Sequence, residues 1–211
     1  MTAATASDGE TQAHSLPLFP LRTVLFPGGL LPLRIFEARY VDMIGRCMRE
    51  GIPFGVLWLC EGAEAGEVRE ARESGAAAQL ADVGSSARIV DFERLEDGLL
   101  GILCRGEQRF RLLRRWVQSD GLHMGEVQWL VDPPQSPLPE SRRALGAVLR
   151  SVMDEYGDLA RHLQPDFEEA GWVANRFAEL LPLSRAAQQQ LLEIDDPLAR
   201  LEAIAPLIEV R

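Results

Sequence analysis

The residue types that most often do chemistry in proteins are sparse in this sequence and widely spaced. All 22 basic residues are arginine, so there is no lysine for a P-loop, a Ser–Lys dyad or a Schiff base. Cys47, Cys60 and Cys104 form no CxxC pair, and the three histidines lack metal-ligand spacing. No Gly-Xaa-Ser-Xaa-Gly elbow is present. The sequence therefore predicts a protein that is not an enzyme and uses no metal or cofactor.

Cysteine usage and charge predict the compartment and the class of partner. Each cysteine lies in an apolar run, and a sparse, odd number of cysteines is typical of reduced thiols in the cytoplasm. The net charge is -10, whereas nucleic acids and anionic membranes both attract basic surfaces. Residues 1–15 are polar and lack the apolar centre of a signal peptide, so they predict a disordered tail. Membrane and nucleic-acid partners are disfavoured.

Prolines and glycines divide the first part of the chain into short apolar runs. These runs predict strands at residues 16–19, 30–35, 54–60, 86–93, 98–105, 108–113 and 124–131. Turns are predicted at Pro27-Gly28, Asp97-Gly98, Gly106 and Asp120-Gly121, and a mobile loop at residues 61–75. Residues 37–50 predict one helix, because apolar side chains recur there every three or four positions.

The chain changes character after the proline-rich segment at residues 132–137. Apolar residues keep helical spacing from there on, which predicts helices at residues 145–163, 166–181, 184–194 and 196–209. Ser184 and the pair Asp196-Pro197 are typical of helix starts. Together the two halves predict an α+β fold. A small β barrel with one helix occupies residues 16–135, and a C-terminal helical bundle occupies residues 136–211.

Long motifs identify a family. The segment LPLFPLRTVLFPGGLLPLRIFEARYVDMI resembles the opening of the N-terminal domain of the ATP-dependent protease Lon. The stretches FGVL, VGSSARI and RGEQRFRL continue the resemblance in order, and VANRFAELLPLSRAAQQQLLEIDDPLARLEAI is similar to the family's helical tail. The resemblance implies a PUA-like β lobe, a helical lobe and a role in recognising substrate proteins. The sequence has no segments that resemble the ATPase and protease domains of Lon, so the chain is interpreted as a stand-alone relative of the N-terminal domain.

The resemblance and the aromatic residues together suggest where a client would bind. The predicted partners are unfolded or extended polypeptides, with a protease or chaperone as a further partner. Peptide-binding candidates are the side chains of the opening motif and of the helical segment that could face a groove between the lobes: Arg34, Phe36, Arg39, Tyr40, Trp172 and Phe177. The alternative is that these side chains belong to the core or form structural ion pairs.

One stretch supports a second hypothesis. Arg105, Arg109, Arg111, Arg114 and Arg115 form the most basic part of the chain. Because Arg109 and Arg111 alternate with Phe110 and Leu112, the stretch predicts a half-buried strand whose polar face is solvated. The alternative is an RNA-binding PUA-like module, which rests on fold-level analogy.

Overall fold

The computed structural model describes residues 13–60, 79–131 and 134–208. Its described strands are β1 (His14–Leu21), β2 (Leu30–Ile35), β3 (Phe54–Trp58), β4 (Val83–Arg94), β5 (Leu100–Val117) and β6 (His123–Trp129). Its described α-helices are α1 (Ala38–Glu50), α2 (Arg143–Met153), α3 (Ala170–Leu180), α4 (Arg185–Glu193) and α5 (Pro197–Ile208), with 3₁₀ turns at Glu140–Arg142 and Asp154–His162. The fold is a mixed α+β arrangement in which strands come first and most helices follow.

The six described strands form one sheet in the order β2-β5-β4-β3-β1-β6, and β6 pairs a second time with β5. The length of β5 makes this possible. Its first part, Leu100 to Arg105, pairs with β2, and its last part, Phe110 to Val117, pairs with β6. β1 and β3 are parallel, with β2 and α1 between them in the chain. Pairing therefore runs in a ring from β5 through β4, β3, β1 and β6 back to β5.

The predicted turn at Gly106 is wrong, because β5 is one continuous strand. Gly106 instead forms backbone hydrogen bonds with the Pro27–Gly29 turn. Gly106 N donates to Gly29 O at 2.9 Å, and Gly28 N donates to Gly106 O at 2.8 Å. A β-carbon at Gly106 would lie 2.2 Å from the carbonyl oxygen of Phe26. Gly106 thus marks a close approach of two backbones rather than a chain reversal.

Other glycine signals in the strand region (His14–Trp129) are confirmed as turns. Gly28, Gly98 and Gly121 have φ angles of 77°, 83° and 82°, which glycine adopts without steric cost.

β1 begins at His14, so the predicted tail of residues 1–15 extended too far. The predicted loop at residues 61–75 lies outside the described residues. The predicted strand at 54–60 ends earlier, at Trp58.

Helix α1 confirms the helix predicted from apolar spacing. Its buried face consists of Tyr40, Met43, Ile44 and Cys47, which pack against strand residues such as Phe54. Burying a side chain of this size contributes about 1.5–3 kcal/mol relative to leaving it exposed. The helix ends where Gly51 adopts the left-handed conformation.

The long helix predicted at residues 145–163 is wrong. Helix α2 ends at Met153, and 3₁₀ turns follow to His162. Gly157 breaks the helical path with φ 55° and ψ -131°, a conformation that other residues rarely adopt. Apolar spacing continued across this break, so the pattern alone did not show it.

Helix α3 starts at Ala170 rather than at residue 166. The Glu169 carboxylate accepts hydrogen bonds from Gly171 N and Trp172 N, which fixes the start there. The starts of α4 and α5 are confirmed. Ser184 Oγ accepts from Ala187 N at 3.2 Å, and Asp196 Oδ1 accepts from Leu198 N at 3.0 Å.

A shared core joins the strand region to the helical region (Glu140–Ile208). Phe26 from the β1–β2 connection and Val83 from β4 pack with Leu149, Val173 and Leu192 from three helices. The helices are therefore fixed on the sheet by apolar contact as well as by hydrogen bonds. No described helix is both long enough and apolar enough to cross a membrane.

Candidate functional site

Three of the predicted binding residues form an exposed corner at the end of β2, called here the β2–α1 corner: Arg34, Phe36 and Arg39. The Phe36 side chain is 70% exposed. Arg34 forms an ion pair with Asp97 and is itself 60% exposed. Arg39 Nη1 donates to Gly121 O at 2.7 Å, and Arg39 Nη2 lies 2.5 Å from Glu37 Oε2. The corner thus presents an exposed aromatic ring, and both of its arginines already have partners.

Tyr40 lies beneath the corner rather than on it. Its ring is buried and stacks on Phe19 with 4.0 Å between the centroids and 9° between the planes. The Arg39 guanidinium lies 4.8 Å from the centroid of the Tyr40 ring. Offset stacking and cation–π contacts both stabilise buried aromatic rings. Tyr40 therefore supports the position of Arg39 from the core.

Trp172 and Phe177 are almost fully buried on helix α3. Both belong to the shared core, and Trp172 meets Phe167 edge to face with 5.0 Å between the centroids. Residues from Ala170 to Ala178 are all buried. A helix with small or apolar residues around its circumference is typical of a buried position, and that signal was present in the sequence. The six candidates therefore fall into two separate groups.

Beside the corner, strand β2 offers an open edge. Among the described residues, β5 is the only strand that pairs with β2. A groove of about 440 Å³ lies next to it, lined by residues of β2, β4, β5 and the 3₁₀ turns, including Pro32, Phe92, Leu103 and Leu159. Charged side chains border the groove, where Asp91 pairs with Arg161 at 3.2 Å. An edge strand with unpaired backbone groups can accept an extended peptide.

The basic stretch of β5 does not form the continuous solvated face that the sequence predicted. Arg109 is 0% exposed and belongs to the junction with the helices. Its guanidinium donates to Leu192 O at 2.9 Å and lies 3.2 Å from Asp195 Oδ1. The strand has irregular register on both sides of this position, so a simple alternation of faces fails. Sequence reasoning missed Arg109 because buried arginine is rare.

Two further buried arginines hold the junction together. Arg200 Nη1 donates to Asn175 Oδ1 at 2.6 Å, and Arg200 Nε donates to Leu191 O at 2.9 Å. Arg176 Nη2 donates to Pro27 O at 3.0 Å, which ties α3 to the turn before β2. Two of these bonds satisfy backbone carbonyls and one satisfies the Asn175 amide oxygen, which apolar side chains could not do.

Glu179 lies beside Arg176 at the same junction. Its carboxylate is 3.0 Å from Arg176 Nε. Burial raises the pKa of Glu179 to about 7, and it outweighs Arg176 and the backbone hydrogen bond at Phe26, which both lower it. The junction therefore contains a carboxyl group whose charge changes near neutral pH.

A second concave surface lies where the helices meet the Pro27–Gly29 turn and β5. This surface, the Trp172 cleft, has a volume of about 450 Å³, and its lining includes Gly28, Arg105, Glu107, Trp172 and Arg200. Trp172 is only 8% exposed, and its indole Nε1 is buried without a hydrogen-bond partner among the described residues. The cleft thus combines an aromatic side chain with charged and polar ones.

Two of the three thiols, Cys47 and Cys104, are buried, whereas Cys60 is partly exposed. Burial raises the pKa of Cys104 to about 12, and burial also raises the pKa of Cys47. Both side chains pack among apolar neighbours, which confirms their prediction as small core residues. Within the residues that the structure describes, no three His, Cys, Asp or Glu side chains are grouped to hold a metal ion.

Comparisons with known proteins match most of the chain. The family model for the substrate-binding domain of the ATP-dependent protease La (LON) matches residues 15–210. Lon protease 2 of Herpetosiphon aurantiacus is 29% identical over 204 residues, which cover 92% of this chain and 23% of that protein. The Lon protease of Paraburkholderia phytofirmans is 28% identical over 220 residues, or 98% of this chain and 26% of that protein. The chain thus spans about a quarter of these curated relatives.

Solved structures agree with these matches. A crystal structure of a Lon N-terminal domain protein from Xanthomonas campestris superposes with a TM-score of 0.71 at 36% identity, covering 92% of this chain and 98% of that one. The N-terminal domain of a Mycobacterium avium complex Lon protease has the same fold, with a TM-score of 0.57 at 19% identity. With the family model matching nearly the whole chain, this protein belongs to the Lon substrate-binding-domain family.

Proposed function

We propose that this chain is a non-catalytic, cytoplasmic module that recognises unfolded or extended segments of client proteins. Family membership supports binding of protein substrates. The observation that carries the specific proposal is the exposed Phe36 ring at the end of the open edge of β2. A client strand would pair with β2 while one of its apolar side chains covers Phe36.

The expected affinity follows from the size of this surface. Burying one aromatic ring contributes roughly 1.5–3 kcal/mol, and micromolar binding corresponds to about 8 kcal/mol before ordering costs are counted. Phe36 and the apolar groove beside β2 therefore support weak binding that tolerates many client sequences. Such binding suits a module that passes its client to a protease or chaperone.

The predicted two-lobe organisation remains part of this proposal. The ring of strand pairing from β5 back to β5 supports a small PUA-like barrel within residues 16–135. Helices α2 to α5 within residues 136–211 would form the second lobe. Limited proteolysis tests the division, since cleavage between residues 131 and 139 should precede cleavage elsewhere in the described elements.

The absence of catalytic activity is tested on the purified chain. No lysine is available for ATP binding or for a Ser–Lys dyad. We expect neither ATP turnover nor casein cleavage above background. An activity that co-purifies with the chain and disappears on a substitution within it would overturn this part of the proposal.

The binding proposal is tested with reduced, carboxymethylated α-lactalbumin and with the same protein folded. Fluorescence anisotropy should report binding to the unfolded form only. Phe36→Ser should weaken that binding about tenfold, since a tenfold change in affinity corresponds to about 1.4 kcal/mol. Val148→Ser, which changes an exposed residue on α2, is the matched control and should bind like the wild type.

The salt dependence separates this proposal from the RNA-binding alternative. Apolar binding should survive a rise from low to moderate salt, whereas binding to phosphates weakens steeply. The burial of Arg109 interrupts the basic stretch, and Arg114 lies 3.7 Å from Glu126. Salt-sensitive binding of a short RNA without binding of the unfolded client would contradict the proposal.

A further inference from the structure

We infer that the groove beside β2 selects client segments that carry a lysine or arginine among apolar residues, and that Glu93 and Asp158 contact the positive charge. This inference rests on the proposed function, because it assumes that extended polypeptides bind along the open edge of β2. It deepens that function by naming the chemical class of client that binds best.

Strand register places the floor of the groove on one face of three strands. Two rows of paired residues cross β2, β5 and β4, and the side chains of a row point to the same face: Pro32–Leu103–Asp91 and Arg34–Gly101–Glu93. All six residues line the groove, and the 3₁₀ turn at Asp154–His162 adds Leu159. Leu103 is nearly buried in the floor, whereas Phe92 and Leu159 are exposed. The groove therefore offers apolar surface to client side chains.

Both arginines of the groove already have carboxylate partners. Arg34 forms an ion pair with Asp97, and Arg161 Nη2 lies 3.2 Å from Asp91 Oδ2. His162 Nε2 is 3.3 Å from the same oxygen and carries charge only when it is protonated. The positive charges of the lining are therefore neutralised within the chain. An anionic client side chain would have to displace one of these pairs.

Glu93 and Asp158 differ from the other carboxylates of the groove. Among the described residues, neither of the two forms an ion pair or a hydrogen bond through its side chain, and both are exposed. Glu93 Cγ lies 3.3 Å from the position that a β-carbon of Gly101 would take. The Glu93 side chain therefore borders the part of the floor where Gly101 contributes no side chain. These two carboxylates can accept a partner without breaking an existing pair.

The charge of the groove favours a cationic side chain as that partner. Three carboxylates against two arginines give the lining a net charge of -1 with histidine neutral, and Asp97 makes it -2. The whole chain carries -10. Complementary charge gives specificity for one class of partner. The aliphatic part of lysine or arginine can also lie on the apolar floor while its charged end reaches a carboxylate.

An extended client would bring such side chains to the groove in sequence. Successive side chains of a strand point to opposite faces of a sheet. A client strand paired with the open edge of β2 would therefore direct every second side chain to the face that carries Arg34 and the groove. One apolar side chain could then cover the floor near Leu103 while a basic one reaches Glu93 or Asp158.

The test uses fluorescein-labelled peptides of leucine, alanine and serine, amidated at the C-terminus, whose central residue is lysine, norleucine or glutamate. Norleucine keeps the aliphatic chain and removes the charge. At low salt the lysine peptide should bind the wild type about three- to fivefold more tightly than the norleucine peptide, as exposed ion pairs allow. At about 1 M salt this preference should nearly vanish, because charges are then screened within about 3 Å. The norleucine peptide should still bind.

The double variant Glu93→Gln/Asp158→Asn should bind the lysine and norleucine peptides alike. The matched control, Asp42→Asn/Glu50→Gln, changes the net charge by the same amount on α1, which does not line the groove, and should retain the preference. Glu93→Lys should reverse the preference, so that the glutamate peptide binds more tightly than the norleucine peptide. All four substituted carboxylates are exposed, so thermal unfolding should match that of the wild type.

Equal binding of the lysine and norleucine peptides to the wild type would overturn the inference. A preference that survives in the groove double variant would do so as well. A preference lost equally in the α1 control would show attraction by the net charge of the chain and not by the groove.

The outcomes also separate this inference from the proposed function. If unfolded α-lactalbumin and all the peptides fail to bind, the proposed function fails. If the unfolded protein binds and Phe36→Ser weakens it, while the charge of the peptide has no effect, only the inference about the groove fails.

Discussion

Arginine has opposite environments at the β2–α1 corner and at the junction between strands and helices. At the corner, Arg34 is 60% exposed and pairs with Asp97 on the surface. At the junction, Arg109 is 0% exposed and donates to the carbonyl oxygen of Leu192. An exposed ion pair is screened by water and contributes little, whereas a buried guanidinium is costly to leave without its acceptors. The corner is therefore free to vary its contacts, while the junction has a fixed geometry.

This contrast has a consequence for binding. Arg109 attaches the end of α4 to β5, Arg176 attaches α3 to the Pro27–Gly29 turn, and Arg200 links α5 to α3 and α4. The corner carries an exposed aromatic ring on an open edge, where different clients could pack in different ways.

The largest expected effect is at the junction. Arg109→Met should lower the free energy of unfolding by about 3–5 kcal/mol, because it removes charged hydrogen bonds to buried carbonyls and leaves space in the core. Urea unfolding followed by tryptophan fluorescence measures the change. Arg111→Met on the same strand should change the free energy by less than about 0.5 kcal/mol. Similar losses for both variants would show that Arg109 has no special structural role.

The next effect is a pH dependence from Glu179. Its pKa is raised from 4.5 to about 7 in the folded chain, so the folded state holds this proton more tightly than the unfolded state. The associated stability is fully present below pH 4.5 and is lost as pH rises to about 7. Over that window the loss amounts to about 3 kcal/mol.

The Glu179→Gln variant isolates this contribution, because glutamine cannot lose a proton. Stability should be measured for both proteins at several pH values between 4 and 8. The wild type should lose stability relative to the variant as pH rises. A difference that stays constant across the range would mean that the junction does not raise the pKa of Glu179.

The smallest expected effect is at the corner. Arg34→Ala breaks the exposed ion pair with Asp97. It should lower the free energy of unfolding by roughly 0.2–1 kcal/mol at low salt and by less at high salt. Chemical denaturation at two salt concentrations measures it. A loss comparable to that of Arg109→Met would remove the distinction between corner and junction.

Much of the local structure was predictable because its causes are local. The apolar stripe of α1, the glycine turns at Gly98 and Gly121, and the caps at Ser184 and Asp196 all depend on residues a few positions apart. Arg34 and Phe36, the exposed side chains of the corner, were also among the predicted candidates. Such features follow from periodicity and backbone preference, which the sequence shows directly.

The failures have a different origin. Gly106 carried a turn signal, yet its role depends on the backbone at Phe26, Gly28 and Gly29, which lies far away in sequence. Gly157 broke a helix whose apolar spacing continued beyond it. Tyr40, Trp172 and Phe177 were candidates for a binding surface, but the structure places them in the cores.

The sequence by itself indicated the family, the absence of lysine-dependent chemistry and a change from strands to helices near the proline-rich segment at residues 132–137. Each follows from residue identity or from short-range pattern. Only the tertiary structure decided that Arg109 is buried and that Arg105 and Trp172 line one cleft. An arginine side chain is long enough to be solvated or to reach buried carbonyls, and its environment depends on which distant segments pack around it.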